Sequence, residues 1–461
     1  MADHLDRFDL AGASVTVVKD GEVWVSKGYG HADVAAGTPV EAATTIFPTA
    51  SVAKLFTWTA IMQLVEQGKL DLDGEVNSYL SAFQIPDHFD EPVRIRHLLS
   101  HTAGFEDKPM SLASRPEDLA DLETALIRDM PAQDWEPGRY TAYNNYSTGL
   151  AGHVVAEVSG MSWEDYVDRN ILQPLDMTHT STRQPTPQDL QPGMTKVYSS
   201  HDGELTEADH DIVALAPFGG MVASTQDMGN FMLAHLQAGR FDEARILQEA
   251  TARQMHSQLF THDPRLAGNA HGFWESIENG QRVLGHGGDH NTSMTWLWLL
   301  PEHDLGLYVA YNSDRGGEAR RELWEAFLDH GFPTEAPPPA EPTATPADIE
   351  HFAGAYGANR ISSTTPAKLY RLLAAMTVSV EDGYVVTDIA PATGRSSGPR
   401  RARTRSRPST GARKWSSAGM ASTSFSTART WAPTRNTEHG KRPRGTTALA
   451  STPACSPRPC S

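Results

Sequence analysis

Cysteine is almost missing from this chain: of 461 residues only Cys455 and Cys460 are cysteine, both close to the C-terminal end. Residues 1–394 can therefore hold no disulfide, no thiolate nucleophile and no cysteine-based metal site. No run of about 18 apolar residues occurs, which excludes a membrane-spanning helix. Where an export signal would put Lys or Arg ahead of an apolar stretch, the first ten residues carry Asp3, Asp6 and Asp9, so the chain as written is expected to be cytoplasmic. Gly-x-Gly-x-x-Gly, the Walker loop and His-Glu-x-x-His are all absent; nucleotide binding and zinc proteolysis have no motif to rest on, and no cofactor or metal is expected. Basic residues are scarce in the body. Residues 1–394 hold 25 Lys or Arg against 56 Asp or Glu, while 395–461 hold 14 against one. An acidic body repels phosphates and anionic lipid, so a nucleic-acid or membrane-surface partner is not expected.

What is present divides into units. Ala13 to Val18 and Glu22 to Lys27 alternate around Asp20-Gly21, the sign of a hairpin. From Ser51 to Lys69 the period is helical, with Leu55, Trp58, Ile61, Met62 and Val65 on one stripe and Gly68 at the stop. Residues 95 to 240 read as helices broken by Pro and Gly, among them Tyr146 to Val158, Trp163 to Ile171 and Thr225 to Ala238. Strands return at Arg282 to Leu284, Ser293 to Leu300 and Gly306 to Tyr311, followed by an amphipathic helix over Glu318 to Leu328. Strands at both ends with helices between them predict an α+β class, one antiparallel sheet completed by distant parts of the chain.

These signals divide the chain into a body at 1–333, a linker rich in Pro, Ala, Thr and Glu at 334–346, and a partial β-rich unit at 347–394 with a hairpin signature around Asp382-Gly383. Beyond it, 55 of 67 residues are Ser, Thr, Ala, Pro, Gly or Arg, and Val, Ile, Tyr and Asp are absent. Such a composition predicts a disordered basic tail over 395–461. The abrupt change at residue 394 favours a shift of reading frame over a basic arm that touches polyanions.

Three constellations carry chemistry. Ser51-Val52-Ala53-Lys54 puts a hydroxyl and an amine at i and i+3, within reach of one another on a helix. A serine hydroxyl is a weak nucleophile until a base takes its proton, and a desolvated lysine can be that base. At the start of the helix, the Ser51 N–H would also face a developing oxyanion. Tyr143-Asn144-Asn145 stands just before the next helix, where a loop can aim the phenol at Ser51 and Lys54, and Asn145 can hold Lys54 or a substrate carbonyl. A turn with a capping Asn and a packed Tyr is the other reading. Gly285-His286-Gly287-Gly288 would let a substrate backbone approach a strand edge, or simply form a turn. His97 and His101 lack a third ligand and read as capping or packing residues rather than a metal pair. His290 and Asn291 either flank the cleft or shape a turn.

Taken in this order, the three motifs resemble those of the serine β-lactamase and penicillin-binding-protein-like hydrolases, especially the branch of class C β-lactamases, D-aminopeptidases and family VIII carboxylesterases. The stretch Arg96 to Gly104, the segment Gly219 to Ser224 and Gly285 to Gly288 resemble further stretches of that family, and the resemblance runs over about residues 8 to 330. It implies a β-lactamase/transpeptidase-like fold with a helical subdomain and the site in the cleft beside the sheet. Ser51 matches the acylated nucleophile, Lys54 its base and Tyr143 the proton shuttle to the leaving group; Asn145 matches their positioning partner. His286, with Gly287 and Gly288, matches the third motif, and the backbone N–H at or beside Asp289 matches the second oxyanion donor. Relatives are often exported. The third motif departs from the family: His286 stands where a lysine is usual, and an imidazole at its ordinary pKa is mostly neutral at pH 7. Ser-Asp-Asn and Lys-Thr-Gly are absent, which weighs against class A enzymes.

The expected function is that of a serine hydrolase acting through an acyl-enzyme at Ser51 on a small ester, amide or peptide substrate. D-amino-acid peptidase and β-lactamase activity rank next. A protein that binds penicillin or senses peptides without turnover is the non-enzyme alternative.

Overall fold

The computed structural model describes residues 1–108, 112–113, 116–334, 350, 352–369, 376–381, 384–389, 402–406 and 431–433. Its centre is a nine-stranded antiparallel sheet. In spatial order the strands are Gln258–Phe260, Asn269–Ala270, Trp274–Glu278, Gln281–Asp289, Met294–Leu300, Leu305–Tyr311, Gly12–Lys19, Glu22–Asp33 and Thr38–Pro39. The hairpin around Asp20-Gly21 forms as its alternation and turn residues demand. Its first strand then takes Leu305–Tyr311 as its other neighbour, with Ala13 opposite Tyr311 and Lys19 opposite Leu305. The beginning and the end of the body thus share one sheet, as the distribution of strand signals implied.

Period-two alternation sorts the central strand onto two faces. Ala13, Val15 and Val17 pack with Trp298, Val309, Ala319, Trp324 and Leu328, under the helices Ala2–Phe8 and Gly316–Gly331. Here Trp298 stacks on Trp324 with centroids 4.5 Å apart. On the opposite face Ser14 and Thr16 turn toward the helix Thr225–Leu236, and Ser14 Oγ lies 2.6 Å from Thr225 Oγ1.

Beyond that helix lies Lys54–Glu66, where Phe56 stacks on Phe231 at 4.1 Å. The apolar stripe expected on this helix is too narrow a description. Every side chain from Lys54 to Leu64 is buried, because Asn145–Ser159, Trp163–Val167 and Thr225–Leu236 surround it. Helices predicted at Tyr146 to Val158 and Thr225 to Ala238 form within a residue or two of those bounds. The one at Trp163 to Ile171 is an α-turn continued as a π-helix, Asp168–Leu172. The region read as helical also contains a hairpin, Val197–His201 with Glu204–Ala208. Trp58 and Trp163 fill the core, while Trp24 is 62% exposed.

After the body, the described strands form a second antiparallel sheet in the order Ala402–Ser406, Tyr384–Ile389, Met376–Glu381, Gly354–Ala358 and Trp431–Pro433. The hairpin expected near Val378 and Tyr384 is present, although Asp382 and Gly383 lie outside the described residues. Two segments of the expected disordered tail, Ala402–Ser406 and Trp431–Pro433, are strands. Backbone pairing at an open sheet edge requires only N–H and C=O groups, so a composition poor in apolar residues does not prevent it. Residues 335–349, the bulk of the expected linker, and both cysteines lie outside the described residues. Among the described residues no helix is long and apolar enough to cross a membrane.

One close approach ties the sheet to the buried helix. Gly272 has φ +98°, and a Cβ there would lie 2.2 Å from Trp58 Cδ1. Gly272→Ala is expected to lower stability by roughly 1–3 kcal/mol through overpacking and left-handed backbone strain, read as a lower urea midpoint at unchanged m-value.

Candidate active site

Ser51 does not sit on the α-helix itself. A 3-10 turn, Ala50–Ala53, precedes the helix that starts at Lys54, and Ala50 adopts the left-handed φ of 47°. The turn is fastened from two sides. Thr49 donates its N–H and its hydroxyl to Met221 O, at 2.9 and 3.0 Å, and its own carbonyl accepts from Thr295 Oγ1 at 2.8 Å. These bonds hold a residue with a Cβ in a conformation that such residues otherwise avoid.

Lys54 is fully buried. Its Nζ donates to Ser51 Oγ at 2.9 Å and to Phe218 O at 2.8 Å. Burial, and then the charge of Arg360, lowers its pKa well below the usual lysine value. Tyr143 comes from the loop before Asn145–Ser159, and its ring lies 5.0 Å from Lys54 Nζ. Burial raises the phenol's pKa and the neighbouring Ser51 hydroxyl pulls the other way, although the phenol oxygen completes no hydrogen bond of good geometry among the described residues. Alcohol, amine and phenol therefore meet, although Tyr143 is far along the chain from the other two.

Of the two asparagines, Asn144 is the cap: its side chain accepts from Ser147 N at 2.9 Å and donates to Glu106 O at 2.7 Å. Asn145 Oδ1 is buried with no hydrogen-bond partner among the described residues, while Lys54 donates to Ser51 and Phe218. His97 caps its own short helix, accepting from Arg94 N at 3.1 Å. His101 packs against Tyr143 at 4.6 Å and Trp274 at 5.7 Å.

The glycine-rich motif lies inside a strand of its own, Gln281–Asp289, rather than in a turn leading to Ser293. Its partner on one side, Trp274–Glu278, ends at the pair Trp274 and Gly285, whereas Met294–Leu300 continues to the pair Met294 and Asp289 on the other. His286 to Asp289 thus keep one backbone edge outside that ladder. Gly288 lets this edge meet the Ser51 turn: a Cβ there would lie 2.3 Å from Thr49 O and 3.2 Å from Ala50 Cβ. Gly287 lies against the Trp296 ring. The Asp289 carboxylate lies 2.6 Å from Arg320, which also donates to Gly288 O at 3.0 Å and Thr295 O at 2.8 Å. His286 is buried, with its Nδ1 2.7 Å from Gly287 O, and burial and then Lys54 depress its pKa to about 3. It is uncharged near neutral pH. Asn291 shapes the turn, donating twice to Asp211, while His290 both donates its N–H to Ser293 O and flanks the cleft, since a Cβ on Gly219 would lie 3.5 Å from His290 Nε2 and 3.5 Å from Ala50 C.

Three neighbours of the site lie in none of the three motifs. Phe218, whose carbonyl holds Lys54, stands immediately before the Gly219-Gly220 segment, so that motif marks its place afterwards. Trp274 stands in a short strand that the sequence does not announce. Arg360 lies beyond the linker, in no motif, with its Cζ 5.0 Å above the Tyr143 ring.

The chain matches the Beta-lactamase family model over residues 1–332. Penicillin-binding protein 4 of Amycolatopsis lactamdurans is 29% identical over 380 residues, covering 76% of this chain and 96% of that protein. Protein flp of Staphylococcus aureus (strain COL) is 27% identical over 322 residues, covering 67% of this chain; the chain spans 61% of that relative's length. Among solved structures, the octameric penicillin-binding protein homologue from Pyrococcus abyssi superposes with a TM-score of 0.60 at 24% identity, over 85% of this chain and 86% of that one. With the match extending through almost the whole body, from the first strand to the last helix, the chain belongs to the β-lactamase family.

Proposed function

We propose that the protein is a serine hydrolase that works through an acyl-enzyme at Ser51. The observation that carries this reading is the 2.9 Å hydrogen bond between Lys54 Nζ and Ser51 Oγ, made by an amine whose burial works against its proton. In the free enzyme an unprotonated Lys54 accepts the Ser51 proton as Oγ attacks the substrate carbonyl. The negative charge passes to the carbonyl oxygen, where the N–H groups of Ser51 and of the strand end at Asp289 can receive it. Tyr143 donates its proton to the leaving group as the carbon–oxygen or carbon–nitrogen bond breaks, and regains one from Lys54. Water then adds to the acyl carbonyl, giving its proton to the same amine, and releases the acid with Ser51 restored. No step calls for a cofactor or a metal.

Small esters and amides rank first as substrates, D-amino-acid peptides second and β-lactams third, because the uncharged His286 gives the third motif no cation for a carboxylate. A second reading draws on a relative whose name is that of a penicillin-binding protein. In it Ser51 acylates and the acyl group stays. A fluorescent penicillin that labels Ser51 and is not released supports that reading.

Purified protein is expected to hydrolyse short-chain p-nitrophenyl esters and to react with a fluorophosphonate at Ser51, as mapped by mass spectrometry. Ser51→Ala should abolish both; a variant that kept the wild-type rate would overturn the mechanism. Lys54→Ala and Tyr143→Phe should each lower kcat by ~10² to 10⁴, the usual scale for groups that carry protons.

The pH profile follows from the signs of the shifts. Lys54 must be unprotonated to act, and its pKa is lowered, so kcat/KM should rise with pH through a point well below the ordinary lysine value. Tyr143 acts protonated with a raised pKa, so the profile should show no loss near pH 10 from its ionisation. A bell falling on the alkaline side at the ordinary tyrosine pKa would contradict this assignment.

A further inference from the structure

The helix Asn145–Ser159 carries a second set of chemically able side chains, about two to three turns beyond the asparagine that opens it beside Tyr143. His153 and Glu157 stand at i and i+4 and so share a face. Across from them lies the short helix Leu122–Arg128, whose first turn carries Glu123. Nearer the start of the longer helix, the Tyr146 hydroxyl donates to Leu126 O at 3.2 Å, so the two helices are tied there as well. One ligand atom from each of Glu123, His153 and Glu157 lies within 4.8 Å of the other two, the one such group of three His, Cys, Asp or Glu side chains among the described residues.

His153 is the member that calls for a partner. It is 5% exposed, its ring stacks on Phe83 at 5.6 Å, and its Nε2 is buried with no hydrogen-bond partner among the described residues. Glu157 Oε1 lies 3.5 Å from this nitrogen without completing a hydrogen bond. A buried ring nitrogen left in that state has lost its hydration uncompensated. The separation fits an ion held between the two atoms, because zinc bonds of about 2.0–2.2 Å set tetrahedral ligand atoms about 3.4 Å apart. The Glu157 side chain is 23% exposed and Glu123 is half-buried. Rotation of Glu123 can therefore close the third side, and water can reach the remaining coordination position.

We propose that Glu123, His153 and Glu157 form a binding site for a divalent transition metal of the zinc type, which clips the helix Leu122–Arg128 to the helix Asn145–Ser159. The donor set selects the class of ion: Mg²⁺ and Ca²⁺ take oxygen ligands, whereas a neutral imidazole suits zinc. Two carboxylates supply the charge that a divalent cation cancels, and three protein ligands leave a fourth position for water. The site shares no residue with the acyl-enzyme chemistry and stands or falls independently of it.

Full-length protein stripped with EDTA and titrated calorimetrically with zinc chloride should take up one Zn²⁺ per chain, and the ion should raise the melting temperature. Glu123→Gln and Glu157→Gln keep the side-chain volume and remove the charge. Each should weaken binding by about tenfold or more, since even partners in the outer shell of a metal are worth about 10- to 100-fold, and each should lose the zinc-dependent rise in melting temperature. His153→Ala should do the same; should it fail to fold, the two glutamine variants decide. Mg²⁺ as the titrant should bind far more weakly, and equal affinity for the two ions overturns the assignment to the zinc type. A zinc affinity within about twofold of wild type in either glutamine variant, as would follow if Cys455, Cys460 or another histidine held the ion, overturns the site. So does a wild-type chain that takes up no zinc.

Discussion

Lys54 is an amine taken out of water, and the architecture of the body can be understood as what holds it there. An isolated ammonium in a protein interior is strongly disfavoured unless hydrogen bonds and neighbouring dipoles compensate, and the group responds by giving up its proton more readily. The Phe218 carbonyl and the Ser51 hydroxyl provide the two bonds, and a helix enclosed on every side provides the desolvation. Neither would suffice alone. An exposed Lys54 would stay protonated, and a buried one without acceptors would destabilise the fold.

The site is therefore assembled from pieces that the chain keeps far apart, and each junction has a physical cause. The Ser51 turn meets the strand Gln281–Asp289 because Gly288 has no Cβ to collide with Thr49. Thr295 reaches the same carbonyl from the adjacent strand, and Met221 secures the turn from the opposite side. Arg320 then locks the end of the motif strand by bonding the carbonyls of a facing pair, Gly288 and Thr295, and pairing with Asp289. Thr49, Thr295 and Arg320, none of them in the three motifs, thus determine where Ser51 stands against the motif strand.

Much of this was legible beforehand, for reasons that differ element by element. The first hairpin showed in its alternation and its Asp-Gly turn, and the helix at Asn145–Ser159 in its period and the Asn144 cap. The meeting of Ser51 with Lys54 followed from spacing alone, since i and i+3 are neighbours in a 3-10 turn as in an α-helix. The strand Trp274–Glu278 was missed because its residues are all half-buried and mix polar with apolar. The burial of the Lys54 helix on all faces could not be read from a stripe, because Thr57, Thr59 and Gln63 look like a solvated side. They are buried with hydrogen bonds: Thr57 to Pro217 O, Thr59 to Leu55 O, and Gln63 to Asn170 O and Ile246 O. The position of Arg360 beside Tyr143 had no local signal at all, since it depends on Glu106 and Asp107, in a different stretch of the chain.

The pairing of Ala13 with Tyr311 bears on how the molecule comes into being. During synthesis the opening hairpin leaves the ribosome with one margin of its central strand unmatched, and its complement is among the last parts of the body to be made. Closing a loop of that span is entropically slow, and an uncovered strand margin invites association with other nascent polypeptides. Until the later strand arrives that margin stays open to other chains, and the speed of translation sets how long the interval lasts.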